Sequence, residues 1–586
     1  MKKKIILIML FAITLFIAIS CSNSKYKTYE KELTVVSLKN YSQENDKATD
    51  LKDITYEGKI PVRFIEGEDY IPYIDLESYY GFIPNALTKS CKYYDTEDEA
   101  GFIFEIKDKK ATIRIFTKNE QVVFENQLSY IYESDDGSDS SATIRTKYEC
   151  KYDTEKMVDH VINYKEYGFK TFRENGKTYL PLTFLDVLVS ESHTTTVFYN
   201  YDKLFTFNDP EALTDFKYLD NGKEKTVMHD MKANAASVMP EYLRLFNKNF
   251  LYFIFDSFYG LKEQKGITKM STYFESLDYS KMLLSDNPED RGDAMCLMLS
   301  TLDDSHTAVV STATSWDEDN YKTLPQSMSK DRAALKKVLS EERDRVYKSL
   351  GLDLNGVRYS KDGKTAVITL DAFEYDNFPY DENKKVKSDE ELAERDHFFK
   401  ILNNLKEIDK KGGVSNVIID MSVNVGGHSG VMTRILNLMG KTNKGYITLH
   451  DSNTNVDNTI STQIDSNNDG KYDDNDVYGN KFRFFVLTSP VAFSCGTAMP
   501  FFVSHQNLGY IIGQKQGGGE CALSQLALPN GQIVAHSSPM HVFTYDDGKI
   551  VGDEAGVPTD LPFSYFDFYD IEKLAAKISQ YEKLFK

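Results

Sequence analysis

Tryptophan is nearly absent from this 586-residue chain: there is one, against 38 Tyr and 36 Phe. Positive charge is also short, with 69 Lys and Arg facing 89 Asp and Glu, a net charge of −20. A surface that acidic repels phosphate backbones, so nucleic acid is not an expected partner. Cysteine is sparse. Beyond Cys21, near the N-terminus, only Cys91, Cys150, Cys296, Cys495 and Cys521 remain. An odd, scattered set is no disulfide framework. Cys495 with Cys521 and Cys91 with Cys150 are the pairings open to it, and buried free thiols are the alternative. After the first twenty residues no stretch is long and apolar enough to span a bilayer. What is present is 41% apolar and 13% aromatic, which packs cores and excludes global disorder. The length suggests two or three domains, and the Tyr and Phe excess suits β-rich, half-exposed sheets.

The N-terminus reads as an export signal. "MKKK" is followed by an apolar run over 5–19, shorter than the roughly 20 residues of a stable span. It ends in "IAISC", which resembles a bacterial lipobox. That resemblance implies that Cys21 is lipidated and becomes the first residue of a lipoprotein anchored to a membrane of the cell envelope. An ordinary cleaved signal peptide over 1–21 is the alternative, and both imply export. Residues 22–50, rich in Lys, Asp and Asn, read as a polar tether.

Residues 51–210 have β texture, with clear alternation in "KATIRIF". Two segments echo each other, "GEDYIPYIDLESYYG" and "GKTYLPLTFLDVLVS", each reading Gly, charged residue, Tyr, apolar, Pro, then a short helix. They resemble the small surface modules similar to the copper amine oxidase N-terminal domain, with no copper implied. This region is expected to be a β-rich α+β accessory domain. Residues 235–575 differ. A helical segment, "MPEYLRLFNKNFLYFIFDSFYGL", precedes strands "TAVITLDAF", "NVIIDM", "FRFFVLTS" and "YIIG", which alternate with helical runs. That alternation predicts an α/β layered domain with a partly parallel sheet. Ligands of such sheets bind at the carboxyl ends of the strands.

Four stations stand at such ends or near them. "LDDSHT" holds Ser305 and His306; "IIDMSVNVGGHSG" holds Asn424, Gly426 and Gly427; "TSPVAFSC" holds Ser494 and Cys495; "GQKQGGG" leads on to "GDEAGVPTD", with Asp553 and Glu554. Each type of residue has a use in acyl transfer. A serine hydroxyl needs a base near neutral pKa, which a histidine supplies. A tetrahedral oxyanion needs convergent backbone N–H groups. Gly426 or Gly427 can offer one and Cys495, at a helix start, another. A carboxylate then holds the imidazole's tautomer. Singly, each of these is most often a turn or a structural residue.

Together and in order, they resemble the tail-specific (C-terminal processing) serine peptidases and their tricorn-core relatives, over roughly 235–575. The resemblance implies a crotonase-like α/β core with Ser494 as nucleophile. The tail-specific branch places a lysine base in the glycine-rich turn, where this chain has Gly519; Lys515, four residues earlier, is the remaining lysine. The tricorn-like branch uses a His preceded by a Ser, with an acid near the last "GV". That implies His306 as base, supported by Ser305, with Asp553 or Glu554 as the acid. Gly426, Gly427 and Cys495 form the oxyanion hole on this reading. The chain departs from the pattern at Met421, Ser422, Val425, Cys495 and Thr497, and it lacks a PDZ-like segment before Thr365. The expected protein is an exported serine peptidase acting on peptides or proteins without a catalytic cofactor. The alternative is an inactive surface protein that binds peptide on the same fold.

One further motif stands apart. "DSNNDGKYDDND" puts Asp465, Asn467, Asp469, Lys471 (through its carbonyl), Asp473 and Asp476 at the ligand positions of a calcium loop, with Gly470 at the sharp turn. A structural calcium there is expected to stiffen the core; an acidic surface loop is the alternative.

Overall fold

The computed structural model describes residues 25–38, 56–82, 91–106, 109–125, 145–190, 195–207, 213, 217–220, 223–311, 328–375, 388–394 and 396–584. The signal segment and Cys21 lie outside the described residues.

Strands Thr365–Thr369, Asn416–Asp420, Arg483–Thr488, Gly509–Gly513 and Leu561–Pro562 run parallel in that order, and Arg358–Tyr359 adds an antiparallel edge. Runs such as "TAVIT" and "NVIID" are buried throughout, as parallel strands must be when both faces are covered. Alternate side chains divide between two cores. Ala366, Ile368, Val417, Ile419, Phe484 and Val486 pack with helices His397–Lys411, Ser429–Met439 and Cys495–His505. On the other face Val367, Ile418, Phe485 and Leu487 meet Leu339 of helix Lys330–Ser349 and Leu574 and Ile578 of helix Ile571–Leu584. The helices supply the crossovers that parallel strands require. The mixed α/β architecture expected from the strand–helix alternation therefore forms.

A second sheet is built on the long strand Ile533–Val542, which pairs with Ala308–Ser311, Cys521–Ala527 and Gly445–Asp451. Val456–Ile464 follows, and Thr146–Asp153 closes the order. This last strand comes from the expected accessory region, so that region is joined to the peptidase-like one by backbone hydrogen bonds. The two also share one apolar core, which runs from Leu33 through Phe184 and Phe253 to Val534.

The two echoing N-terminal segments pair with each other: Tyr179 lies opposite Asp75, Leu180 opposite Ile74 and Pro181 opposite Tyr73. Each strand then enters a helix, Leu76–Phe82 or Leu182–Val189. The same sheet includes Thr28–Ser37, inside the stretch expected to be a tether. Its charged half is exposed while Leu33, Val35 and Val36 are buried between Tyr56–Ile65 and Leu204–Thr206. Three apolar residues in a polar stretch are too few to stand out in the sequence, but a strand with partners on both sides needs no more.

One ion pair lies wholly inside. Arg434 Nη2 donates to both Asp396 oxygens at 3.2 and 2.9 Å, and its guanidinium covers the Phe398 ring at 4.5 Å. Both side chains are at most 1% exposed. Asp396 also caps helix His397–Lys411 by accepting from Phe398 N. Removing one partner leaves a buried charge unpaired, so Asp396→Ala is expected to cost about 3–5 kcal/mol. The measurement is the urea midpoint at unchanged m-value.

Candidate active site

Ser494 joins strand Arg483–Thr488 to helix Cys495–His505 with φ 55° and ψ −128°. A side-chain-bearing residue rarely adopts that conformation, and a strained strand–turn–helix serine is the geometry of a nucleophile elbow. The turn is held by its neighbours. Ser494 N donates to Gly518 O at 3.0 Å, Phe493 N to Asn424 O at 3.3 Å, and Thr497 N to Ser494 O at 2.8 Å. Two loops crowd it. A β-carbon at Gly426 would lie 2.8 Å from Ser494 Cβ, and one at Gly519 would lie 2.7 Å from Ser494 N and the Phe493 ring. Real β-carbons do not come so close, so only glycine fits at either place.

The backbone donors then sort themselves. Asn424 is fully buried; its Nδ2 donates to Leu370 O at 2.9 Å and its Oδ1 accepts from Gly426 N at 2.8 Å. Gly426 N–H, one of the expected oxyanion donors, is therefore already committed. Gly427 is exposed, and its N–H meets no acceptor among the described residues. Cys495 N–H opens a helix, where no intrahelical acceptor exists. The Cys495 thiol donates to Gly427 O at 3.1 Å, tying these two residues together. The thiol thus has a structural part that no motif points to.

His306 is placed by the buried Asp304, whose carboxylate accepts from His306 N at 3.0 Å, Thr307 Oγ1 at 2.6 Å and Tyr259 OH at 3.2 Å. The His306 ring meets the Phe493 ring edge-on at 4.7 Å, one residue before Ser494. Burial pushes its pKa below the usual histidine range, against the opposing charge of Asp304. Its Nδ1 is buried with no partner among the described residues. Ser494 Oγ likewise makes no hydrogen bond to them. Ser305 Oγ accepts from Arg332 Nη1 at 2.8 Å.

The two candidate acids differ. Asp553 is buried with neither oxygen partnered. Burial, then the charges of Glu520 and Glu554, holds its carboxyl well above the ordinary range. Glu554 Oε2 accepts from Gly519 N at 2.8 Å and Glu520 N at 3.1 Å, and Glu554 N donates back to Glu520 Oε2 at 3.0 Å. Burial raises the Glu554 pKa while those two N–H groups oppose it. Behind them Glu520 Oε1 accepts from His541 Nδ1 at 2.8 Å and from Gln264 Nε2. Lys515 is exposed and lies along Gly556, where a β-carbon would sit 3.0 Å from its Cγ.

Two further expectations concern the acidic loop and the cysteines. Asp465 accepts from Asp469 N and Gly470 N, and Asp476 from Ser466 N, Asn467 N and Asp473 N. Asp469 accepts from Lys471 N, so the carboxylates of the calcium-like motif are turned onto their own backbone. Among the described residues no group of three or more His, Cys, Asp or Glu is arranged to hold a metal ion. Among the described residues no disulfide joins Cys91, Cys150, Cys296, Cys495 or Cys521, so neither pairing forms. Arg332, which no sequence motif singles out, is brought to the site from a charged helix.

Residues 364–562 match the family described as Peptidase family S41. No curated protein matches the chain. Among solved structures, a photosystem II D1 C-terminal processing protease is 14% identical, with a TM-score of 0.24 over 34% of this chain and 42% of that one. The likeness thus spans less than half of that protein. A lipoprotein from Streptococcus agalactiae is 12% identical, TM-score 0.35, over 59% of this chain and 99% of that one. The tricorn protease is 11% identical, TM-score 0.32, over 97% of this chain and 56% of that one. Scores this low bear no weight for the site. Ser305 and His306 lie outside the matched segment, whereas Asn424, Gly427, Ser494, Cys495 and Glu554 lie within it. Residues 364–562 are a peptidase family S41 domain, the domain of a serine-type peptidase.

Proposed function

We propose that the chain is an exported serine peptidase on a crotonase-like core, anchored by lipid at Cys21, in which Ser494 attacks the peptide carbonyl. His306 takes the hydroxyl proton and returns it to the leaving amine, and water then hydrolyses the acyl-serine. Gly427 and Cys495 N–H receive the oxyanion, because Gly426 N–H is already donated to Asn424. Ser305 supports His306. Glu554 is the acid in this reading. Its Oε1 is uncommitted, and the charge of Asp304, two residues before His306, acts on it. Burial and the charges of Glu520 and Glu554 push the Asp553 carboxyl well above the ordinary range, and among the described residues it makes no hydrogen bond by which to orient a ring.

The observation that carries the reading is the backbone of Ser494, strained at φ 55° beside an exposed, unpaired Gly427 N–H. One observation favours the second reading, a peptide-binding protein that does not cleave: Ser494 Oγ and His306 share no hydrogen bond. Catalytic hydrogen bonds often tighten only with substrate bound, so this geometry does not exclude turnover.

Ser494→Ala is expected to lower kcat on a peptide library about 10⁴-fold or more, as loss of a nucleophile does. A parent that binds peptides but never cleaves them would favour the second reading. Since burial depresses the His306 pKa, the base stays unprotonated below the usual histidine value of about 6.5. The acid limb of kcat/KM should therefore fall below pH about 6.5; a limb above it contradicts His306 as base. In cells, Cys21→Ser is expected to move the protein from the membrane to the soluble fraction. Unchanged membrane retention would argue against the lipid anchor.

A further inference from the structure

The first turn of helix Lys330–Ser349 holds Lys330, Asp331 and Arg332, and the helix's positive end disfavours its cations. Arg332 N–H is capped by Ser329 Oγ at 3.3 Å. Burial lowers its pKa from the ordinary arginine value, against the charges of Asp303 and Glu554. No carboxylate of the described residues pairs with it. The guanidinium makes three contacts. Nη1 donates to Ser305 Oγ at 2.8 Å, Nη2 donates to Gly517 O at 3.1 Å, and the plane covers the Phe493 ring at 4.9 Å.

Each contact belongs to a different segment of the site. Ser305 precedes His306, Phe493 precedes Ser494, and Gly517 opens the glycine turn whose Gly519 N–H is held by Glu554. The His306 ring lies against the same Phe493 ring. A β-carbon at residue 517 would sit 2.6 Å from Arg332 Nη2, so a glycine there admits the guanidinium. Anchoring of the helix does not account for this cation. Leu339 is already buried in the sheet's second core, and Arg343 grips Asp371 with two bonds of 2.5 and 2.7 Å.

We propose that Arg332 is a positioning residue whose planar fork holds the Ser305–His306 segment in register with the Ser494 elbow and the glycine turn. This rests on the reading of Ser494 as nucleophile and His306 as base. A flat, two-pronged group meets two separate oxygens while its face stacks on an aromatic ring, which an ammonium cannot reproduce. Because reacting groups misplaced by about 1 Å lose on the order of 10²-fold in rate, the effect should fall on kcat.

The experiment compares the parent, Arg332→Gln, Arg332→Lys, Ser305→Ala, the Ser305→Ala/Arg332→Gln double variant and Ser494→Ala on one peptide substrate, with melting curves for each. Arg332→Gln is expected to lose about 10²-fold in kcat with KM changed less than about threefold and folding retained. Arg332→Lys should fall between it and the parent. Because Ser305 acts through Arg332, the double variant should lose less than the two single losses combined. A kcat for Arg332→Gln within about threefold of the parent overturns the proposal, as does a loss confined to KM. If Arg332→Gln does not fold, Arg332→Lys decides, and parental kcat in that variant overturns the proposal. If Ser494→Ala is as active as the parent, the reading of the nucleophile fails and this inference falls with it.

Discussion

The site depends on how closely two loops approach Ser494, and on the absence of a β-carbon where they touch. Gly426 brings the end of strand Asn416–Asp420 to within contact of Ser494 Cβ, and Gly519 brings the turn after Gly509–Gly513 against Ser494 N. Given those approaches, the remaining geometry follows. Asn424 engages Gly426 N–H, leaving Gly427 as the outward donor. Gly518 O accepts from Ser494 N and fixes the elbow in its strained conformation. A side chain at either glycine would push the loops apart and relax the serine toward an ordinary backbone.

The parallel sheet explains why these loops meet at all. Its strands end together at Thr369, Asp420, Thr488 and Gly513, and the site residues follow within a few positions of three of those ends. His306 arrives differently, from a loop ahead of the second sheet, and the Asp304 carboxylate fixes that loop's shape. His306 and Ser494 thus stand on segments of separate sheets. Contacts that cross between them, through Phe493, Arg332 and the glycine turn, set their distance.

Much of the core was legible because its signals are local. "NVIID" and "RFFVL" read as buried strands, and "HFFKILNNLKEID" carries helical spacing that the structure uses to bury Phe398, Leu402 and Leu405. Ser494 and the glycine pair were legible only through their order along the chain. What was hidden depends on distant partners. Thr28–Ser37 looks like a polar tether because its strand neighbours come from Tyr56–Ile65 and Leu204–Thr206. Thr146–Asp153 reads as part of a separate domain, and its partner lies some 300 residues on, at Val456–Ile464. Arg332 sits among the charges of a helix that resembles any solvated one, and its contacts at Ser305, Phe493 and Gly517 leave no mark in local pattern.

The central claim is that Ser494 is the reactive hydroxyl of this peptidase S41 domain. Its most direct test is peptide mapping by mass spectrometry after the folded protein reacts with a fluorophosphonate. A single stoichiometric adduct on Ser494, abolished by prior heat unfolding, is the expected result. No adduct, or one carried by another serine while Ser494 stays unmodified, would contradict it.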